Sequence, residues 1–159
     1  MGFKEPSMDS MYVPSFESLL RALGVDRPTY ERSSKIPLPK EVFKFLLRIV
    51  LEHSEFNEAA YLRDNPDVAE AHRRGEMPDV REHYIGFGYF EGRTGGTPTV
   101  DEAWYLDAYP DVAQAVKLGS IGSAREHYNI VGGSEGRSPS AAYIPVADQW
   151  KRALIRRAG

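Results

Sequence analysis

Apolar residues recur along this chain at the spacing of helices, and the clearest run lies between Pro39 and His53. There Val42, Phe43, Leu46, Leu47, Ile49, Val50 and Leu51 cover most of a helix circumference, leaving Lys44, Arg48 and Glu52 as a narrow polar stripe at i, i+4 and i+8. Pro39 suits the first helical position, because its missing N–H would have had no intrahelical partner there. A helix apolar on so many sides is expected at the centre of a core. Ahead of it, Ser15 can cap a helix of about two turns carrying Phe16, Leu19, Leu20 and Leu23, with Gly24 at the position favoured just past a helix end. Residues 26–39 hold three prolines and read as an extended connector, and 1–14, with Pro6 and Pro14 and no sustained apolar period, as an arm.

From Phe56 the pattern becomes a repeat. The stretch FNEAAYLRDNPDVAEAHRRGEMPDVREHYIGFGYFEGR aligns without a gap on VDEAWYLDAYPDVAQAVKLGSIGSAREHYNIVGGSEGR, which starts at Val100. The constant offset of about 44 residues falls in the range of stacked supersecondary units. Each copy reads as three short helices. Asn57 and Asp101 cap the first; Pro66 and Pro110 open the second, with Asp67 and Asp111 at the end the helix dipole favours; Gly75 and Gly119 end it. Asp79 and Ser123 cap the third, Glu82 and Glu126 complete a capping box, and Gly88 and Gly132 close it before a Glu-Gly-Arg turn. TGGTPT at 94–99 is the seam. After Pro139, a helix starting near Pro145 carries Val146, Trp150, Ala153 and Leu154 on one face, with Lys151, Arg152, Arg156 and Arg157 crowding the end that suits positive charge.

The expected architecture is therefore all-α: two tandem three-helix repeat units packed on a central helix, with an extended N-terminal arm and a C-terminal capping helix. The segments are the arm with one short helix at 1–38, the central helix at 39–54, repeat 1 at 55–95, repeat 2 at 96–139 and the C-terminal helix at 140–159.

Composition narrows the function. Hydrophobic residues at 42% and charged residues at 27% mark a folded chain rather than a disordered one. A net charge of -3 gives no general attraction to phosphate backbones, so nucleic acid is not an expected partner. Without cysteine there is neither a disulfide framework nor a thiolate zinc site. The longest apolar run, 42–51, is broken by Lys44 and Arg48 and falls far short of the roughly 20 residues that span a bilayer. No signal segment opens the chain, and Pro6 stands where an acylation signal wants Ser or Thr; the expected location is cytoplasmic, with export within a particle or association with the cell surface as alternatives.

The candidate chemistry is that of binding. His83 and His127 hold equivalent places beside Glu82 and Glu126, and would meet only if the copies faced each other across a pseudo-twofold axis. No local His spacing supports a metal, so each reads as a structural histidine bonded to backbone or to a neighbouring unit. The glycine runs at 86–92 and 131–134 follow helices rather than strands, and Ser134 near His127 lacks a third triad member. No catalytic residue, metal or cofactor is expected. Tyr84, Tyr89, Arg93, Tyr128 and Arg137 are the candidate ligand contacts, since flat apolar faces beside fork-shaped donors suit sugars or carboxylates. The opposing reading places Tyr84 and Tyr128 in the core and pairs Arg93 and Arg137 with helix carbonyls or with Glu91 and Glu135. Tyr89-Phe90 against Gly133-Ser134 is a difference between copies that points to an aromatic contact exposed in one of them.

Residues 56–93 and 100–137 resemble a bacterial repeat of the form F-D-x-x-Y-L-x-x-x-P-D-V-A, a spacer, then H-Y-x-x-x-G-x-x-E-G-R. It occurs in tandem beside glycosyltransferase domains and in large surface or haemolysin-type proteins. Asn57 and Val100 depart from its usual acidic and aromatic residues. The resemblance implies a small helical module in a surface-polysaccharide setting and brings no catalytic residues. The expected function is a non-enzymatic binding module for bacterial surface (capsular) polysaccharide or its biosynthetic machinery. The alternative is a structural or adaptor subunit of a multiprotein or phage-like particle, docking through its N-terminal arm. Either allows an oligomer.

Overall fold

The computed structural model describes residues 12–96 and 98–154. Residues 1–11 of the expected arm, Thr97 of the seam and residues 155–159, with Arg156 and Arg157 of the basic end, lie outside the described residues. Every element among those described is helical, so the chain is all-α. It divides into two compact units at Ile49/Val50.

The first unit opens with α1 (Phe16–Ala22), where Ser15 accepts a bond from the Ser18 amide and Gly24, at φ 68°, takes the left-handed turn just beyond the end. The expected extended connector is instead broken by α2 (Arg27–Arg32). Asp26 accepts from the Thr29 amide at 2.6 Å and Pro28 sits in the first turn, a helix start hidden among the prolines. Leu20 and Val25 are buried here, Phe16 meets Tyr30 edge-on at 4.9 Å, and Arg27 lies over the Phe16 ring while pairing with Glu17.

The long helix α3 (Lys40–Glu52) forms where its periodicity places it, with the Phe43 amide bonded to the Pro39 carbonyl. It is not the buried centre its sequence suggests. Phe43, Phe45, Leu46 and Val50 are each about half exposed, and Leu51 alone in the helix is buried.

Repeat 1 comprises α4 (Glu58–Asp64), α5 (Pro66–Arg73), and α6 (Val80–His83) continued by a π-helical turn at Tyr84–Gly88. Repeat 2 comprises α7 (Glu102–Ala108), α8 (Pro110–Lys117), and α9 (Ala124–His127) with its own π turn at Tyr128–Gly132. A 3₁₀ turn at Ala141–Tyr143 leads into α10 (Ile144–Leu154). Asn57, Asp79, Asp101 and Ser123 each accept a bond from the amide three residues on, as expected of caps. The capping box is altered in repeat 2: the Glu126 carboxylate reaches past Ser123 to the Gly122 amide at 2.7 Å.

At the centre of each copy stands a fully buried tyrosine, Tyr61 or Tyr105. Around them the two cores are Leu51, Val68, Val80, Tyr84 and Ile85 in repeat 1, and Val100, Val112 and Ala124 in repeat 2. Gly88 and Gly132 end the third helix as expected, each as the last residue of its π turn. A turn follows each, ending at Gly92 and Gly136, both at positive φ, where the Arg93 and Arg137 amides bond back to the carbonyls of Gly88 and Gly132. Gly88 and Gly132 also supply space: a Cβ there would stand 2.0 Å from the Tyr61 hydroxyl or 2.3 Å from that of Tyr105.

Candidate functional site

Two motifs far apart in sequence meet in each repeat. Arg93, at the exit turn, donates to Asp67 at the start of α5 at 2.9 Å and to Glu91 at 2.7 Å. Arg137 makes a two-pronged contact with Asp111, at 2.9 and 2.7 Å, and bonds Glu135 at 2.6 Å. The Arg137 pair holds the Asp111 carboxyl down to about 2, and the Arg93 bond lowers Asp67 in the same direction. Glu91 and Asp67 together raise Arg93 above the ordinary guanidinium value. Pro-Asp-Val-Ala and Glu-Gly-Arg are thus two halves of one clamp, which fixes the exit loop over the second helix.

The exit loop also returns to the first helix. The Asn57 and Asp101 amides donate to the carbonyls of Gly96 and Pro139, at 3.2 and 3.0 Å. Asn65 donates to the Thr94 carbonyl at 2.9 Å; at the matching place in repeat 2 the Tyr109 hydroxyl accepts from the Ser138 amide at 2.8 Å. Two different side chains close the same ring. The histidines belong to this framework as well: His83 and His127 share hydrogen bonds through Nδ1 with the Tyr61 and Tyr105 hydroxyls, at 3.2 and 3.0 Å. Their partner is a tyrosine of the same repeat, not backbone or a neighbouring unit. Burial pushes the Tyr105 hydroxyl up to about 12. Among the described residues no group of three or more His, Asp or Glu is placed to hold a metal.

A cleft of about 180 Å³ lies where the exit of repeat 1 meets the third helix of repeat 2. Tyr89, Arg93, Asn57, Arg125 and Asn129 bring rings and donors to it, and none of its described lining side chains is acidic. Arg93 is held by its two carboxylates, whereas among the described residues Arg125 makes a single 3.7 Å ion contact, with Glu102. Tyr89 is 38% exposed and stands perpendicular to Tyr84, with ring centroids 6.1 Å apart. Tyr84 itself is a core residue that offers the cleft only an edge: it stacks on Phe56 at 5.3 Å, and a Cβ at Gly96 would strike its ring at 2.5 Å.

Of the five candidate contacts, Tyr84, Tyr89 and Arg93 line this cleft. Arg137 lines a second cleft, at the exit of repeat 2. Tyr128 lines neither; burial raises its hydroxyl pKa, and the nearby Tyr89 adds to the effect. Sequence reasoning passed over Arg125 and Asn129. Arg125 matches Arg81, which donates to the Glu52 and Ser54 carbonyls at 2.8 and 2.9 Å, so the shared Arg-Glu-His-Tyr motif conceals two different environments. Asn129 did carry a signal, for it replaces the buried Ile85 of the other copy with an exposed amide. No helix among the described residues is long and apolar enough to cross a membrane. Compared with known proteins, the chain matches no family model, no curated protein and no solved structure.

Proposed function

We propose that this protein is a non-enzymatic binding module for a bacterial surface polysaccharide, and that the cleft at the exit of repeat 1 takes an acidic sugar of that polymer. One observation carries the reading: two guanidinium groups, an aromatic ring and two side-chain amides line one cleft that has no acidic lining side chain. A uronate ring presents what such a cleft recognises, a carboxylate for Arg125 and C–H edges for Tyr89. Asn57 and Asn129 supply the hydrogen bonds that hydroxyls need.

The repeats serve this reading as a frame. We infer that they form one array, with α10 closing its end in the place of a third first helix, since Ile144 follows Val100 and Phe56 at the same offset. The Tyr143 hydroxyl donates to Glu55 at 2.7 Å, joining the residue ahead of repeat 1 to the one ahead of α10. An extended stack would hold those two positions apart, so the array curls back on itself. A second reading, a structural or adaptor subunit of a larger particle, draws on the half-exposed Phe43, Phe45 and Leu46 of α3 rather than on the arm.

Calorimetric titration with a hexasaccharide of hexuronic acid, against a neutral hexose hexasaccharide, tests the first reading. The acidic probe binds, its affinity falls with added salt, and Arg125→Ala weakens it about tenfold while the helical circular dichroism is unchanged. Binding that ignores both Arg125→Ala and Tyr89→Ala, or no binding of either probe, overturns it.

A further inference from the structure

The second cleft is not a copy of the first, and its differences are chemical. It opens at the exit of repeat 2, with a volume of about 320 Å³, near the lower end of the range of roughly 300–1,000 Å³ for small-molecule pockets. Gly136, Arg137, Ser138 and Ile144 stand in it at the repeat offset from Gly92, Arg93, Thr94 and Val100 of the first cleft. Where the first cleft has Ala60, however, this one has Trp104. The indole meets Tyr109 edge-on at 6.0 Å, and the Arg137 guanidinium lies over the other ring at 4.9 Å from its centroid. Trp104, Tyr109 and Arg137 make one continuous wall.

The opposite wall is a face of α10, carrying Asp148 and Lys151. Neither side chain has a hydrogen-bond or ion-pair partner among the described residues, although the Lys151 stem lies against Gly136, whose Cβ would stand 2.7 Å from the Lys151 Cγ. The remaining charged side chains, Glu135 and Arg137, are committed to each other at 2.6 Å. The cleft therefore faces its occupant with an aromatic wall and with one acceptor and one donor that are uncommitted among the described residues, its lining charges in balance. The first cleft, with two cations and no acidic lining, differs in kind.

We propose that the cleft formed by Trp104, Tyr109, Asp148 and Lys151 is a subsite for one neutral pyranose ring. The C–H face of the sugar lies on the indole. Two ring hydroxyls meet the helix, one donating to the Asp148 carboxylate and one accepting from the Lys151 ammonium. This rests on the reading of the first cleft as a glycan site and extends it. A polymer carrying both acidic and neutral sugars engages both clefts, and the second contact, being intramolecular, raises its avidity over either component alone.

The test uses the intrinsic fluorescence of the full chain carrying Trp150→Phe, which leaves Trp104 as its indole reporter, titrated with a neutral hexose hexasaccharide. A saturable change in Trp104 emission is expected. Adding Asp148→Asn or Lys151→Ala, both on the exposed helix α10, should weaken it at least fivefold, while Arg125→Ala leaves it unchanged. No emission change, or one that ignores Asp148→Asn and Lys151→Ala, overturns the subsite. If the hexuronate hexasaccharide still binds through Arg125 in that event, the subsite alone has failed; if neither probe binds, the glycan reading fails with it.

Discussion

Replacing Gly132 by Ala tests the packing at the heart of a repeat. The new methyl would stand 2.3 Å from the Tyr105 hydroxyl and 3.2 Å from His127 Nδ1. Heavy atoms pack comfortably at about 3.5 Å, so the hydroxyl must retreat by about 1 Å. It has nowhere to go without cost, because the Tyr105 side chain is fully buried and its hydroxyl is bonded to a buried His127. Overpacking of this kind costs about 1–3 kcal/mol, and a buried polar group that loses its partner costs about 1–3 kcal/mol. The helical preference of Ala over Gly returns up to about 1 kcal/mol. The net expectation is a loss of about 1–6 kcal/mol, read from urea-induced unfolding. Gly133→Ala is the control: its nearest neighbour would be 3.6 Å away and its φ is -61°, so it is expected to be neutral or slightly stabilising. If the two variants unfold at the same urea concentration, the Tyr–His–Gly arrangement is not what holds the repeat together.

Tyr105→Phe should cost about 1–3 kcal/mol, and Tyr61→Phe less, because His127 is buried and His83 is only partly so; paired urea curves measure both. Because Asp111 is held at about 2 in the folded protein against an ordinary value of 3.8, its pair with Arg137 contributes above about pH 4 and is lost as the pH falls toward 2. Asp111→Asn should remove that part of the acid transition, worth no more than about 1 kcal/mol because the carboxylate is largely exposed. With Tyr105 pushed up to about 12 by burial, ultraviolet titration should show a late-ionising tyrosine, and stability present at neutral pH should fade as the pH rises from about 10 through 12. Asp101→Ala removes the cap on the Trp104 amide and should lower stability by about 1 kcal/mol.

The helices and their caps were legible because each rests on a local rule: a Ser, Asp or Asn before an amide that needs an acceptor, a Pro in a first turn, a Gly where φ turns positive. Where the rule is local but crowded, it was misread, as with Asp26 and Pro28 among the prolines of the connector. Apolar periodicity says that a face of α3 can be buried, not that neighbours need it: Leu51 enters the repeat 1 core, while Phe43, Phe45, Leu46 and Val50 stay about half exposed. The π turns at Tyr84–Gly88 and Tyr128–Gly132 follow no such local rule. The candidate site was half legible. Repetition marked Arg93 and Arg137 but hid that Asp67 and Asp111 already hold them, while Arg125, printed in the same motif as Arg81, acquires its place in a cleft only through the loop that precedes repeat 2.

The most direct test of the account is a map of amide and side-chain NMR shifts as a hexuronate hexasaccharide is added to the full chain. Saturable shifts centred on Tyr89, Arg93, Arg125 and Asn129, and lost in Arg125→Ala, are the predicted result. Shifts confined to α3, or none at concentrations where the probe saturates, would contradict it.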